Sequence, residues 1–388
     1  MLSRGKRVAG LVVLLWLQGV ASAGISFQPL GGFEITGTRY EGYYKTEAYA
    51  LSGDGSTVVG EGQLFRVRQD SVFSSPDATR GFVWTSSLGL IDLGPGSVQG
   101  VNQDGSVLAG RSIPPDSPSG SGHLAESVPT LWRDQLPEYL IAFSQGLVYG
   151  GFAGLSADGS RAVGLSTAQG LTPLRWSDSQ GLGLQPWPVG GQGRAPTDVA
   201  DDGAFVSERF DPTRSNPYEQ LWTEDEGWRL ILGSGAFIEV AAISDDGHVV
   251  VGRSQDFRAY RWTEAEGGML LEHPAGFPRQ SRTLGVNHDG SVIVGAAGPA
   301  DGFREIPFIW TEKQGIRSLV DILAIEGGVD LSGWVTLEAI DVSDDGRTIL
   351  GRGFGPNGTE SWVAVIPEPV SGVVLLLGSL WVVGTRRI

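Results

Sequence analysis

The chain has 388 residues, of which 59 are Gly, 12 are Trp and none is Cys, and its formal charge is −16. Gly at about twice ordinary usage points to many turns, and a chain without Cys has neither disulfides nor thiolate metal sites. Five basic residues (Arg4, Lys6, Arg7, Arg386 and Arg387) sit in the terminal segments, so the stretch between them is more acidic still. Such a surface repels phosphate backbones, which excludes nucleic acid from the expected partners.

Residues 1–23 have three parts. Arg4, Lys6 and Arg7 precede an apolar run, 8–17, and the segment ends in Ala21-Ser22-Ala23. That order predicts a secretory signal peptide cleaved after Ala23, and hence an exported protein. The globular part is expected to span 24–366.

Within it one short phrase occurs seven times. It reads Leu-Ser-Gly-Asp-Gly-Ser at 51–56 and carries Asp54-Gly55. It returns around Asp104-Gly105, Asp158-Gly159, Asp202-Gly203, Asp246-Gly247, Asp289-Gly290 and Asp345-Gly346, with starts 43 to 56 residues apart. A period of that size marks an array of like supersecondary units. Ser or Asn opens each phrase (Ser52, Asn102, Ser156, Ser244, Asn287, Ser343), except for Ala200 in the fourth. Asp third and Gly fourth suit a type I turn followed by a left-handed Gly, a common hairpin connection.

A strand-like phrase with Trp follows each hairpin: Trp84, Trp132, Trp176, Trp222, Trp262, Trp310 and Trp362. A turn and a last apolar piece come next, as at 89–93 or 315–319. One unit is four short strands in meander, a propeller blade. Seven turns and seven Trp predict an all-β, seven-bladed β-propeller of four-stranded antiparallel blades over 24–366. The last unit stops at Ile366 after its third strand. The N-terminal strand, 25–30, is expected to complete that blade and close the ring without an open edge.

The alternation of Asp-Gly hairpins with Trp strands resembles the HAF repeat proteins, a group of predicted extracellular bacterial repeats, over roughly 45–366. The literal His-Ala-Phe is replaced here by Gly81-Phe82-Val83-Trp84 or Phe308-Ile309-Trp310. The resemblance implies location and fold but little chemistry. The Asp-box of sialidases does not fit, because Asp and Gly are adjacent here and Trp comes 15–29 residues later.

At the other end Pro367-Glu368-Pro369 precedes the uncharged stretch 370–384 and then Arg386-Arg387. As a helix that stretch measures about 22 Å, short of the roughly 30 Å hydrocarbon core. The arginines stay on the cytoplasmic side. The tail, 367–388, resembles the PEP-CTERM sorting signal of Gram-negative bacteria. The resemblance implies an exosortase as processing partner, transient passage of the 370–384 transmembrane helix through the inner membrane, and delivery to the cell surface or beyond.

The repeated Asp residues form the most regular acidic set. Calcium takes six to eight oxygens converging on one point, which one Asp per hairpin tip does not supply, so they are read as turn residues. The seven Trp are read as core plates between blades. His123, His248, His273 and His288 show no H-E-x-x-H or other metal spacing, and His248 and His288, inside turns, are expected at the surface. No G-x-S-x-G elbow or phosphate-binding Gly loop occurs. A glycosidase carboxylate pair has no spacing rule when its members come from different blades. No catalytic, cofactor or metal residue is therefore assigned.

The connections between second and third strands vary: 61–80, 111–129 and 207–219 are long, 165–172 and 253–258 short. They open on the face opposite the Asp-Gly hairpins, where loops commonly carry function. Two of the long ones are polar, with Arg66, Arg68, Asp70, Asp77 and Arg80 in one, and Asp211, Arg214, Asn216, Tyr218 and Glu219 in another. The expected function is a non-enzymatic interaction module at the surface or in the matrix, binding an exopolysaccharide or a surface protein. The alternative is an extracellular glycan-acting hydrolase or lyase.

Overall fold

The structure is a computed structural model that describes residues 24–32, 42–66, 78–115, 127–140, 150–167, 171–185, 187, 192–194, 196–210, 218–231, 238–274, 276–278, 280–298 and 305–366. The expectations for 1–23 and 367–388, with Pro367, Glu368, Pro369, Arg386 and Arg387, lie outside them. Among the described residues no helix is long and apolar enough to cross a membrane.

The seven Asp-Gly phrases fold into near-identical turns. In each, the Asp carboxylate accepts the backbone N–H two residues on, at 2.7–3.0 Å. The opening Ser or Asn adds a second bond: Ser52 Oγ accepts from Thr57 N at 2.9 Å and donates to Asp54 Oδ1 at 2.7 Å. Gly takes φ between 70° and 88° in all seven, the left-handed region that favours Gly. Ala200 lacks the side-chain oxygen, yet Asp202 still receives Ala204 N at 2.7 Å.

Each turn joins the first two strands of an antiparallel unit. The last unit is a four-stranded sheet of Thr336–Val342, Thr348–Gly355, Gly358–Val365 and, from the other end of the chain, Ser26–Pro29. Ser26 pairs with Val365 and Pro29 with Trp362. Three further units are also four-stranded. The first two share a seven-stranded sheet, because Gly89–Val101 runs unbroken between them. It pairs backward as far as Pro95 and forward from Gly96. The fourth unit has five strands, since its innermost strand is split into Gln192–Gly193 and Asp198–Val199. Pro196, which has no N–H for the ladder, lies in the break. The long connection expected at 61–80 is narrower: Thr57–Arg66 and Ala78–Thr85 extend the pairing to Leu64 and Ala78. A short helical segment, Leu319–Asp321 and Ile322–Glu326, was not anticipated.

The core is divided among the joints. Seven hydrophobic clusters each straddle two consecutive units, and each holds one of the strand-three Trp. All seven Trp are at most 8% exposed. An Arg of one unit commonly lies over the next unit's Trp, as Arg175 does 4.6 Å from the Trp222 ring. Matching ion pairs, Arg133–Asp178 and Arg229–Glu264, are largely exposed and so contribute little. Burying an aromatic contributes about 1.5–3 kcal/mol, so apolar plates hold the joints.

The turns also bond to one another in a cycle. Five links are backbone pairs: Asp54 N to Gln103 O, Gln103 N to Ala157 O, Asp201 N to Asp245 O, Asp246 N to His288 O and Asp344 N to Gly53 O. Asp158 N to Asp201 Oδ1 and Asn287 Nδ2 to Asp344 O supply the other two. The first turn is therefore joined to the last. Within the last unit, on the strand supplied by the N-terminus, Phe27 packs 5.4 Å from Trp334 and 5.2 Å from Trp362. Phe27→Ala is expected to cost about 2 kcal/mol, less than the 3–5 of a fully buried Phe, and to lower the melting temperature by several degrees. An unchanged melt would mean that the N-terminal strand does not hold the last unit together.

Candidate functional site

The innermost strands surround a central channel of about 250 Å³. In six of them a β-bulge falls three residues before the turn's opening residue, at Tyr49, Gln99, Ala153, Ala241, Leu284 and Ile340. All six, with Thr197 of the fourth unit, line the channel. A bulge re-aims its extra side chain, and here it aims each toward the axis.

The next residue faces the following unit at close range and is small in five units: Ala50, Gly100, Gly154, Ala242 and Gly285. A Cβ at Gly100 would meet Leu155 N at 2.8 Å, and one at Gly285 would meet Asp341 Cα at 2.7 Å. Asp198 and Asp341 break the rule. Asp198 accepts from Val199 N at 2.9 Å and from Ile243 N of the next unit at 3.2 Å. Asp341 accepts from Val342 N and, across the seam, from Leu51 N, both at 2.8 Å. Burial, with Asp245 adding repulsion, pushes Asp198 up to about 8. Burial likewise raises Asp341 to about 7, against the pull of its two N–H donors.

At the turn-side mouth the second residue of each turn converges: Gly53, Gln103, Ala157, Asp201, Asp245, His288 and Asp344. His288 Nδ1 lies 3.4 Å from Asp245 Oδ2, and Gln103 Nε2 donates to Asp344 Oδ2 at 3.0 Å. One ligand atom each from Asp245, His288 and Asp344 fall within 4.8 Å of one another. That is the donor chemistry of a divalent cation, though three ligands fall short of calcium's six to eight. Burial, with Asp344 and Asp201, raises Asp245 to about 6. Burial lowers His288, but Asp245 and Asp344 outweigh it and its pKa is raised. His288 is exposed, as its turn position suggested, and it also faces the Asp245 carboxylate. His248 is exposed, and His273 Nε2 lies 2.6 Å from Ser281 Oγ; His123 lies outside the described residues.

The opposite mouth carries an ion-pair ladder across the sixth, seventh and first units. Arg282 meets Glu305 at 2.6 and 2.8 Å and Glu338 at 3.2 Å. Arg352 meets Glu338 at 3.3 Å and Glu47 at 3.1 Å, and Lys45 closes the row on Glu47 at 3.0 Å. Arg253 pairs with Glu239 nearby. Burial, then the hydrogen bond shared with Glu338, raises Glu305. Burial opposes ionisation of Glu338, but that bond and the two guanidiniums hold it below the usual range. Burial, with Glu61 and Glu47, raises the Tyr49 phenol.

The structure leaves the Asp of the seven Asp-Gly pairs on separate tips and converges their neighbours instead. Of the polar loop residues, Arg80 pairs with Asp92 at 2.6 Å and Glu219 is buried, accepting Val240 N at 3.4 Å. Arg66 and Tyr218 fall in strands, and Arg68, Asp70, Asp77, Asp211, Arg214 and Asn216 lie outside the described residues. The missed channel group had a legible signal: titratable residues at repeat positions that are otherwise small or neutral.

Asp198, Asp245 and Asp341 have native pKa values above the unfolded value of about 3.9, so folding retains their protons and stability falls as pH rises toward those values. His288, also raised, loses its stabilising charge in the same direction. The melting temperature is expected to fall from about pH 5 to pH 8, the window of native values near 6, 7 and 8. Asp198→Asn and Asp341→Asn should each flatten that slope. Thermal melts across the range check it, and a wild-type slope in both variants counts against the channel carboxylates as its source.

No protein-family model and no curated protein matches the chain. Solved structures do. An oligogalacturonate lyase from Vibrio parahaemolyticus matches at TM-score 0.53 and 12% identity, over 89% of this chain and 98% of that one. An oligogalacturonate lyase in complex with manganese matches at 0.52 and 13%, over 89% and 97%. The β-propeller domain of the Trilobed protease from Pyrococcus furiosus matches at 0.50 and 9%, over 83% and 95%. TolB from Acinetobacter baumannii, at 0.43 and 12%, is matched over 69% of this chain and 64% of its own. At these identities the likeness is one of fold: the chain is a β-propeller.

Proposed function

We propose that the chain is an exported β-propeller of seven blades, closed by its N-terminal strand, that works as an interaction module at the cell surface or in the matrix. Seven Asp-Gly turns, seven straddling clusters and a seven-membered cycle of turn links support the blade count. The leader-like order of 1–23 and the Pro-Glu-Pro tail at 367–388 support export, passage through the inner membrane and processing by an exosortase. The observation that carries the binding role is the ladder at the loop-side mouth. Arg282 and Arg352 each bridge two carboxylates, which makes a charged rim whose side chains hold one another in place on the strand ends of three units. A polysaccharide or surface protein is the ligand class that suits such a face.

A second reading, a glycan-acting hydrolase or lyase, is favoured by one observation. Glu305 and Glu338 meet on the one Arg282 guanidinium, and a pair of carboxylates close together is what glycan hydrolysis uses. A glycan array run beside a hydrolase and lyase screen on the mature protein separates the two. Binding without turnover is expected. Turnover that drops by about 10²-fold or more in Glu305→Gln would overturn the binding-only reading.

A further inference from the structure

Packing between consecutive units is incomplete at one joint. On each fourth strand one position projects over the third strand toward the following unit, and Ile91, Glu138, Arg229, Met269 and Arg317 occupy it elsewhere. Arg229 there lies 6.0 Å from the Trp262 ring. The third unit has Gly183 instead, cross-strand from Arg175, and a Cβ on Gly183 would meet nothing within 4 Å. The missing side chain opens a cavity of about 200 Å³ between the third and fourth units.

The lining is polar and locally basic. Arg161, Arg175, Ser177, Gln180, Trp222 and Glu224 contribute to it. The Arg175 guanidinium lies 4.6 Å over the Trp222 ring, 3.2 Å from Gln180 Oε1 and 3.5 Å from Glu224. Arg161 donates to the Asp201 carbonyl, and the carboxylate that feels its charge, Asp158, lies outside the lining. Within the lining two guanidiniums face one carboxylate, in a chain of formal charge −16, and that local excess favours an anionic ligand. The Glu224 side chain is 54% exposed, and water screens such an exposed pair, so an incoming carboxylate displaces it at little cost. Guanidinium matches carboxylate geometry in a bidentate fork. The cavity is below the 300 Å³ or so at which drug-sized pockets begin, a size for one sugar ring.

We propose that the cleft over Gly183 binds a uronate ring of an acidic saccharide, with Arg175 on its carboxylate and Ser177 and Gln180 on its hydroxyls. The site is separate from the loop-side rim and stands whether or not that rim binds a ligand.

Titration calorimetry of the mature protein with uronate trimers (galacturonate, mannuronate and guluronate), cellotriose and acetate tests it. Saturable binding is expected for at least one uronate trimer, weaker at high salt, with none for cellotriose or acetate. Gly183→Met fills the space as Met269 does in the fifth unit, and Arg175→Gln removes the fork. Each should weaken binding by at least about tenfold, the scale of one charge-assisted hydrogen bond, and Gly183→Met should do so with an unchanged melting temperature. No binding of any uronate trimer, equal binding of acetate, or uronate binding that survives Gly183→Met overturns the proposal.

Discussion

Each Asp-Gly turn is hydrogen-bonded to the next, and the chain of links returns to its start. Because five of the seven links use backbone groups alone, side chains at the second turn position are free to differ, as Gly53, Gln103, Ala157, Asp201, Asp245, His288 and Asp344 do. The same links fix those side chains on the axis. Like charges that would separate on an open surface are held together there, and the inner strands of the fourth and seventh units bring Asp198 and Asp341 in beneath them. The channel electrostatics follow from main-chain geometry.

The joints obey a second economy. An aromatic plate and its apolar neighbours recur at every joint, while the charged decoration over them changes. Where the outer strand supplies a long side chain, the Trp below is covered; where it supplies Gly183, a cleft appears. Binding surfaces can thus arise from one missing side chain without disturbing the core, since the buried plates carry the greater part of each interface.

Much of the architecture was legible in the sequence because turn chemistry is local. Ser52, Asp54 and Gly55 specify a hairpin within four residues, and seven copies 43 to 56 residues apart leave few alternatives to an array. The pairing of 26–29 with 362–365 was readable from a counting argument, the unit that ends one strand short. The channel group was less so. Asp201, Asp245 and Asp344 sit beside the conspicuous Asp of each turn, and adjacent residues on a hairpin tip point in different directions. One converges on the axis and the other caps a backbone N–H. The Glu305–Arg282–Glu338–Arg352 ladder joins strands of different units, a relation that no local spacing encodes. The split inner strand of the fourth unit was foreshadowed by Pro196 alone.

The pairing of Ser26 with Val365 also sets an order of events. The first β-segment to leave the ribosome finds its partner only when the last one has emerged, so closure is a long-range step that every other joint can precede. Non-local contacts of this kind are slow to form, and until this one does, the edge of Gly358–Val365 is an unpaired template open to other chains. The longer that edge stays bare, the more encounters it has with other chains.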